Sequence, residues 1–152
     1  MRPLRKLGEE ASLASEAVFA RRGWLATQGE AFRRAVLQRT TPVSLRAGKP
    51  IWDEGDDPGG MYGIVRGGIG VLVSSPRHGP VLSHVLRDGK WFGAGPALIG
   101  GARAMGFRTM DDPVPLALPL ARIRELEAAE PAAARAFAAI GLLASNLAAH
   151  AS

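Results

Sequence analysis

Apolar positions recur with a helical period at both ends of the chain and in short alternating runs between them. Leu13, Val18 and Phe19 predict a short helix over residues 11–20, which Gly23 breaks. Trp24 and Leu25 start a second helical unit. In it Phe32, Val36 and Leu37 share one face, with Arg33, Arg34 and Arg39 opposite. Pro42 ends the unit, because the residue before a proline disfavours helix. Short strand-like runs follow at Val43–Arg46, Pro50–Asp53, Met61–Arg66, Ile69–Val73, Val81–Arg87, Met105–Met110 and Val114–Leu118. Turn residues separate them, and this spacing predicts an antiparallel sandwich or barrel. Helical period returns at Leu120–Glu130, with Leu120, Ile123 and Leu126 inward. Pro131 opens a last helix that runs to about His150.

On that last helix Ala133, Phe137, Ile140, Ala144, Leu147 and Ala151 follow spacings of four and three. The stripe suits a helix-pairing seam, which places Phe137, Ile140, Ala144 and Leu147 in a homodimer interface. A helix lying on its own sheet needs the same stripe. The chain therefore reads as one domain. Residues 1–40 form an N-terminal helical segment, 41–118 the β-rich body and 119–152 the C-terminal helices.

The stretch 91–108 carries candidate chemistry. A strand-like approach ends at Trp91-Phe92, and Gly93 and Gly95 allow a sharp turn with exposed N–H groups. Pro96 suits the first position of a short helix, Gly100-Gly101 stops it, and Arg103 follows. Orphan N–H groups at a helix start, with a returning guanidinium, form a site for an anion such as phosphate.

Phe92-Gly93 and Arg103-Ala104 resemble the two ends of the phosphate-binding cassette of cyclic-nucleotide-binding domains in Crp/Fnr regulators. The likeness extends to Ile51-Trp52-Asp53-Glu54-Gly55-Asp56, similar to that family's strand and Glu-Gly-Asp turn. Residues 61–68 are similar to its next strand and Gly-containing hairpin, and residues 87–93 to the lead-in to the cassette. The resemblance implies an α+β fold, an antiparallel β jelly roll flanked by N-terminal helices and a long C-terminal helix. It also implies a phosphate or nucleotide site at Phe92, Gly93, Ala94, Gly95, Arg103 and Ala104. One departure stands out: the family's ribose-binding Glu is Ala94 here. The chain stops at Ser152, where a winged helix-turn-helix follows in the family, so the likeness is to the sensory part alone.

Composition narrows the functions. No cysteine is present, which excludes disulfides, a Cys-ligated cluster and a catalytic thiol. His78, His84 and His150 are scattered, so neither a metal site nor a cupin-type enzyme has a ligand set. Asp53, Glu54, Asp56 and Asp57 read as a turn rather than a Ca²⁺ site. The charge of +5 is dispersed, and the last helix is apolar and Ala-rich, so sequence-specific DNA binding is not expected. With no membrane span or leader in the sequence, the expected place is the cytoplasm. The resulting expectation is a non-enzymatic, ligand-sensing regulatory domain, its ligand a cyclic nucleotide or another small anion and its partner a second copy of itself. Ala94, Ala148 and Ala149 also allow a ligand-free interaction module of the same fold.

Overall fold

The computed structural model describes residues 15–43, 60–73, 77, 79–93 and 106–140, and the backbone of 50–52. Residues 15–19 are helical (α1), followed by α2 (Gly23–Ala26) and α3 (Glu30–Gln38). The second helical unit expected from the sequence is thus two helices, parted at 27–29. Side chains close the end of α3: Thr40 Oγ1 donates to the Leu37 carbonyl at 2.7 Å and Arg39 Nη1 to that of Ala35 at 2.9 Å.

Among the described residues eight strands follow: β1 (Thr41–Pro42), β2 (Pro50–Trp52), β3 (Gly60–Arg66), β4 (Ile69–Val73), β5 (Val81–Leu86), β6 (Trp91–Phe92), β7 (Gly106–Thr109) and β8 (Val114–Pro119). They form two four-stranded antiparallel sheets, ordered β1-β8-β3-β6 and β2-β7-β4-β5. Successive strands alternate between the sheets except β4 and β5, which pair within the second, as in a jelly roll. The first strand begins earlier than expected and contains Pro42. It lies at a sheet edge, where a missing N–H costs no ladder bond. Gly67-Gly68 is a corner rather than the hairpin that the likeness suggested. β3 pairs with β6 and β8, whereas β4 pairs with β5 and β7, so the chain changes sheets there.

The first sheet is covered on both faces, which is why β3 reads as almost continuously buried. Met61, Val65, Trp91, Leu116 and Leu118 face the helices, where Phe19, Trp24, Leu25, Val36, Ile123, Leu126 and Phe137 complete the larger core. The other face looks into the roll. There Ile64, Ile69, Val71, Phe92 and Phe107 form a second, smaller core, with Tyr62 and Leu86 packed against it.

The chain leaves the first sheet at the end of β8 through helix α4 (Leu120–Ala129), which buries Ile123 and Leu126, and enters a last helix, α5, described over 131–140. Glu130 between them is extended (φ −138°), so the break before Pro131 falls where the sequence placed it. No helix among the described residues is long and apolar enough to cross a membrane.

Candidate functional site

The roll interior is built by strand alternation. Tyr62 and Ile64 on β3 point inward, and the register opposes Tyr62 to Phe92. Phe92 stacks on Tyr62 (5.3 Å between centroids, 18° between planes) and on Phe107 (4.9 Å, 28°). Phe107 belongs to the second sheet, so Phe92 bridges the two sheets through one aromatic stack. Phe107 lies opposite Val71 on β4, and Val71 lies opposite His84 on β5. Phe107, Val71 and His84 thus form one row across the inner face.

The turn before β6 fixes how Phe92 is delivered. Lys90 N–H donates to the Arg87 carbonyl at 3.1 Å, which closes a tight turn around Asp88-Gly89. Gly89 N–H donates to the Ile64 carbonyl at 2.7 Å, and Ile64 N–H to that of Lys90 at 2.9 Å. These bonds lock the turn to β3, and Trp91 and Phe92 follow in register. Gly93, buried directly after them, has φ +86°, a conformation that favours glycine. The sharp turn read from the sequence is therefore present at its first residue. Ala94, Gly95, Arg103 and Ala104 lie outside the described residues, as do Ala144 and Leu147 of the seam.

Phe137 and Ile140 face this chain's own core, at 1% and 4% exposure. Phe137 packs on Trp24 (5.5 Å) and Phe32 (5.6 Å), and Trp24 Nε1 donates to the Ala136 carbonyl at 2.8 Å. The first half of the apolar stripe is thus spent within the chain. The alternative reading of the stripe, a helix lying on its own fold, holds for these two residues.

The sequence reading missed two features of the interior. One is the aromatic pair Tyr62 and Phe107, which inward alternation along β3 and β7 could have located. The other is His84. Its Nδ1 lies 3.1 Å from Ser83 Oγ, while its Nε2 is buried with no hydrogen-bond partner among the described residues. A separate open cleft of about 490 Å³ sits between the N-terminal helices and the β1 edge. Glu16, Glu30, Arg33 and Arg34 line it with balanced charge, and Arg34 pairs with Glu30 at 2.9 Å. Neither Phe92 nor Gly93 lines it. No group of three or more His, Asp or Glu among the described residues could hold a metal ion.

With this geometry the chain matches a known pattern. The cyclic nucleotide-binding domain model fits residues 42–130. No curated protein matches the sequence. Among solved structures, a Silicibacter pomeroyi DSS-3 protein with a provisional description as a cAMP-binding regulatory protein superposes with a TM-score of 0.72 at 18% identity, over 90% of this chain and 63% of its own. The N-terminal domain of a transcriptional regulator from Streptomyces coelicolor A3(2) gives 0.68 at 20% identity, over 79% and 86%. The Thermus thermophilus catabolite activator protein gives 0.67 at 26% identity, over 82% and 57%. The chain thus spans under two thirds of the Silicibacter and Thermus proteins.

Proposed function

The chain belongs to the cyclic nucleotide-binding domain family, and from that we propose that it is a ligand-sensing regulatory domain of the Crp/Fnr kind. It binds rather than catalyses, as its regulatory relatives do. The observation that carries the reading is the Phe92-Gly93 junction. Phe92 is anchored in the roll interior, and the left-handed Gly93 begins the stretch of sequence that carries the Phe-Gly to Arg-Ala pattern.

In this reading backbone N–H groups of Gly93, Ala94, Gly95 and Ala104 and the guanidinium of Arg103 hold the phosphate of a small anionic ligand. Ala94 has no carboxylate for a ribose hydroxyl, so cyclic AMP and cyclic GMP bind weakly or give way to another anion. The domain works in the cytoplasm as a homodimer. The part of its seam left for a second copy is Ala144 and Leu147. It signals through that contact, not by reading DNA sequence itself. Ala94, Ala148 and Ala149 favour one competing reading, a ligand-free interaction module.

Mass spectrometry of small molecules retained by natively purified protein, followed by titration with cyclic AMP and cyclic GMP, tests the proposal. A retained phosphate-bearing ligand, or saturable nucleotide binding, is expected. An empty protein that binds neither nucleotide at millimolar concentration leaves the interaction module as the better account.

A further inference from the structure

Only two side-chain atoms among the described residues are both buried and without a hydrogen-bond partner: Trp91 Nε1 and His84 Nε2. Trp91 belongs to the core beneath the helices. His84 does not. It lies opposite Val71 on the inner face of the second sheet, in the row that leads through Phe107 to Phe92 and the Gly93 turn.

The local backbone is arranged around it. The β4–β5 ladder pairs Val71 with His84 and then Leu72 with Leu82, so Ser83 is the extra residue of a β-bulge. A bulge interrupts regular pairing and re-aims the side chains beside it, and such bulges gather next to functional sites. Here Ser83 Oγ lies 3.1 Å from His84 Nδ1 and holds the ring by that nitrogen. Nε2 is left as the working end, buried and unmatched. A buried polar atom in that state disfavours the empty protein, because its bonds to water are lost and nothing replaces them.

We infer that His84 is the interior residue that hydrogen-bonds the part of the ligand remote from its phosphate, through Nε2. The inference rests on the nucleotide-sensing reading above. The phosphate end is set by the turn at Gly93. His84 stands two strand spacings, about 10 Å, across the sheet from Phe107, on which Phe92 stacks. A nucleoside phosphate seated at the turn and extended along this row would bring a hydroxyl or a base nitrogen to the imidazole. Nε2 donates or accepts according to which tautomer Ser83 selects. The neighbours Val71, Leu86 and Phe107 are apolar, so this single polar contact has few competitors among the described residues.

The test uses the whole chain in three forms: wild type, His84→Phe, which keeps a ring but no nitrogen, and His84→Gln, which keeps a polar end. Cyclic AMP and cyclic GMP are titrated to millimolar concentration, followed by calorimetry and by the imidazole ¹⁵N resonances. Thermal melting is recorded without ligand. In the wild type the Nε2 resonance should move on ligand addition more than Nδ1. His84→Phe should lose about threefold to tenfold in affinity, with partial recovery in His84→Gln. Its ligand-free melting temperature should not fall, since an unmatched polar atom has been removed. Unchanged affinity in His84→Phe overturns the inference and leaves the nucleotide-sensing reading standing. A lowered melting temperature with unchanged affinity also overturns it, and assigns His84 to a structural water. Absence of any response in the wild type removes the nucleotide reading, and this inference with it.

Discussion

The indole of Trp24 donates its Nε1–H to the backbone carbonyl of Ala136 at 2.8 Å, joining residues 112 positions apart in the sequence. Trp24 is also at the centre of an aromatic group, 5.9 Å from Phe32, 5.8 Å from Trp91 and 5.5 Å from Phe137. One side chain thus connects the N-terminal helices, the strand that leads to the Gly93 turn, and α5. Trp24→Phe keeps most of the apolar contact and removes the donor. A buried hydrogen bond contributes about 1 kcal/mol net, and for a chain of this size that is roughly 2–4 °C of melting temperature. Calorimetric or dichroic melting checks it, and an unchanged midpoint would show that the bond contributes nothing.

The contact between Gly23 and Gly89 sets a stricter demand. A Cβ on Gly23 would lie 1.9 Å from the Gly89 carbonyl oxygen, and Gly23 has φ +79°. A Cβ on Gly89 (φ +88°) would lie 2.5 Å from Arg22 Cβ. Either glycine-to-alanine change forces the start of α2 away from the turn that delivers β6. Backbone strain and overlap together make a loss of about 3 kcal/mol the expectation for each. The pair is in contact, so Gly23→Ala with Gly89→Ala should cost less than the sum of the two singles. Denaturant melts of the three variants measure this, and strict additivity would mean that the two glycines act independently.

Much of this architecture was legible because it depends on local pattern. Strand alternation placed most strands, and Pro131 marked the start of the last helix. Pairing was less legible. Nothing in the run Met61–Val73 says that Gly67-Gly68 turns a corner between sheets, since hairpins and corners draw on the same residues. The stripe on α5 was ambiguous for a similar reason. A helix needs an apolar face whether its neighbour is its own chain or a second one, and Trp24 and Phe32 fill the role at Phe137. At the candidate site, the motif points to Phe92 and Gly93, which the structure places at the end of β6. His84 was passed over because one histidine in an alternating strand has no motif, and its unpaired nitrogen becomes visible only in three dimensions.

The seam yields a prediction that separates folding from assembly. Ile140 is 4% exposed within the chain, so Ile140→Asp should lower the melting temperature sharply, because it buries an unpaired charge. Its effect on oligomeric state is then secondary. Leu147→Asp should leave melting almost unchanged and weaken the proposed dimer. Sedimentation of both variants beside the wild type at tens of micromolar, paired with melting curves, decides it. A monomeric wild type removes the dimer from the proposal.

The proposed anion site makes the most direct prediction. In the proposed function Phe92 and Gly93 begin the first turn of a phosphate cradle, and Arg103 supplies its fixed positive charge. Arg103→Ala should abolish anion binding, since backbone N–H groups alone are left to oppose the desolvated charge. Pro96 gives no N–H, so the cradle has no spare donor there. On the ribose side, a hydrogen bond to a carboxylate contributes about 1.5–3 kcal/mol, which is roughly 10- to 100-fold in affinity. Ala94 forgoes it. Ala94→Glu should therefore tighten cyclic AMP or cyclic GMP binding by about that factor, and should do so less for the 2′-deoxy nucleotides, which lack the hydroxyl. Calorimetry with both sugars on wild type, Arg103→Ala and Ala94→Glu measures each effect separately. Sub-micromolar binding by the wild type would mean that another side chain already holds the ribose. Unchanged binding in Arg103→Ala would mean that the phosphate sits elsewhere than at the turn after Phe92.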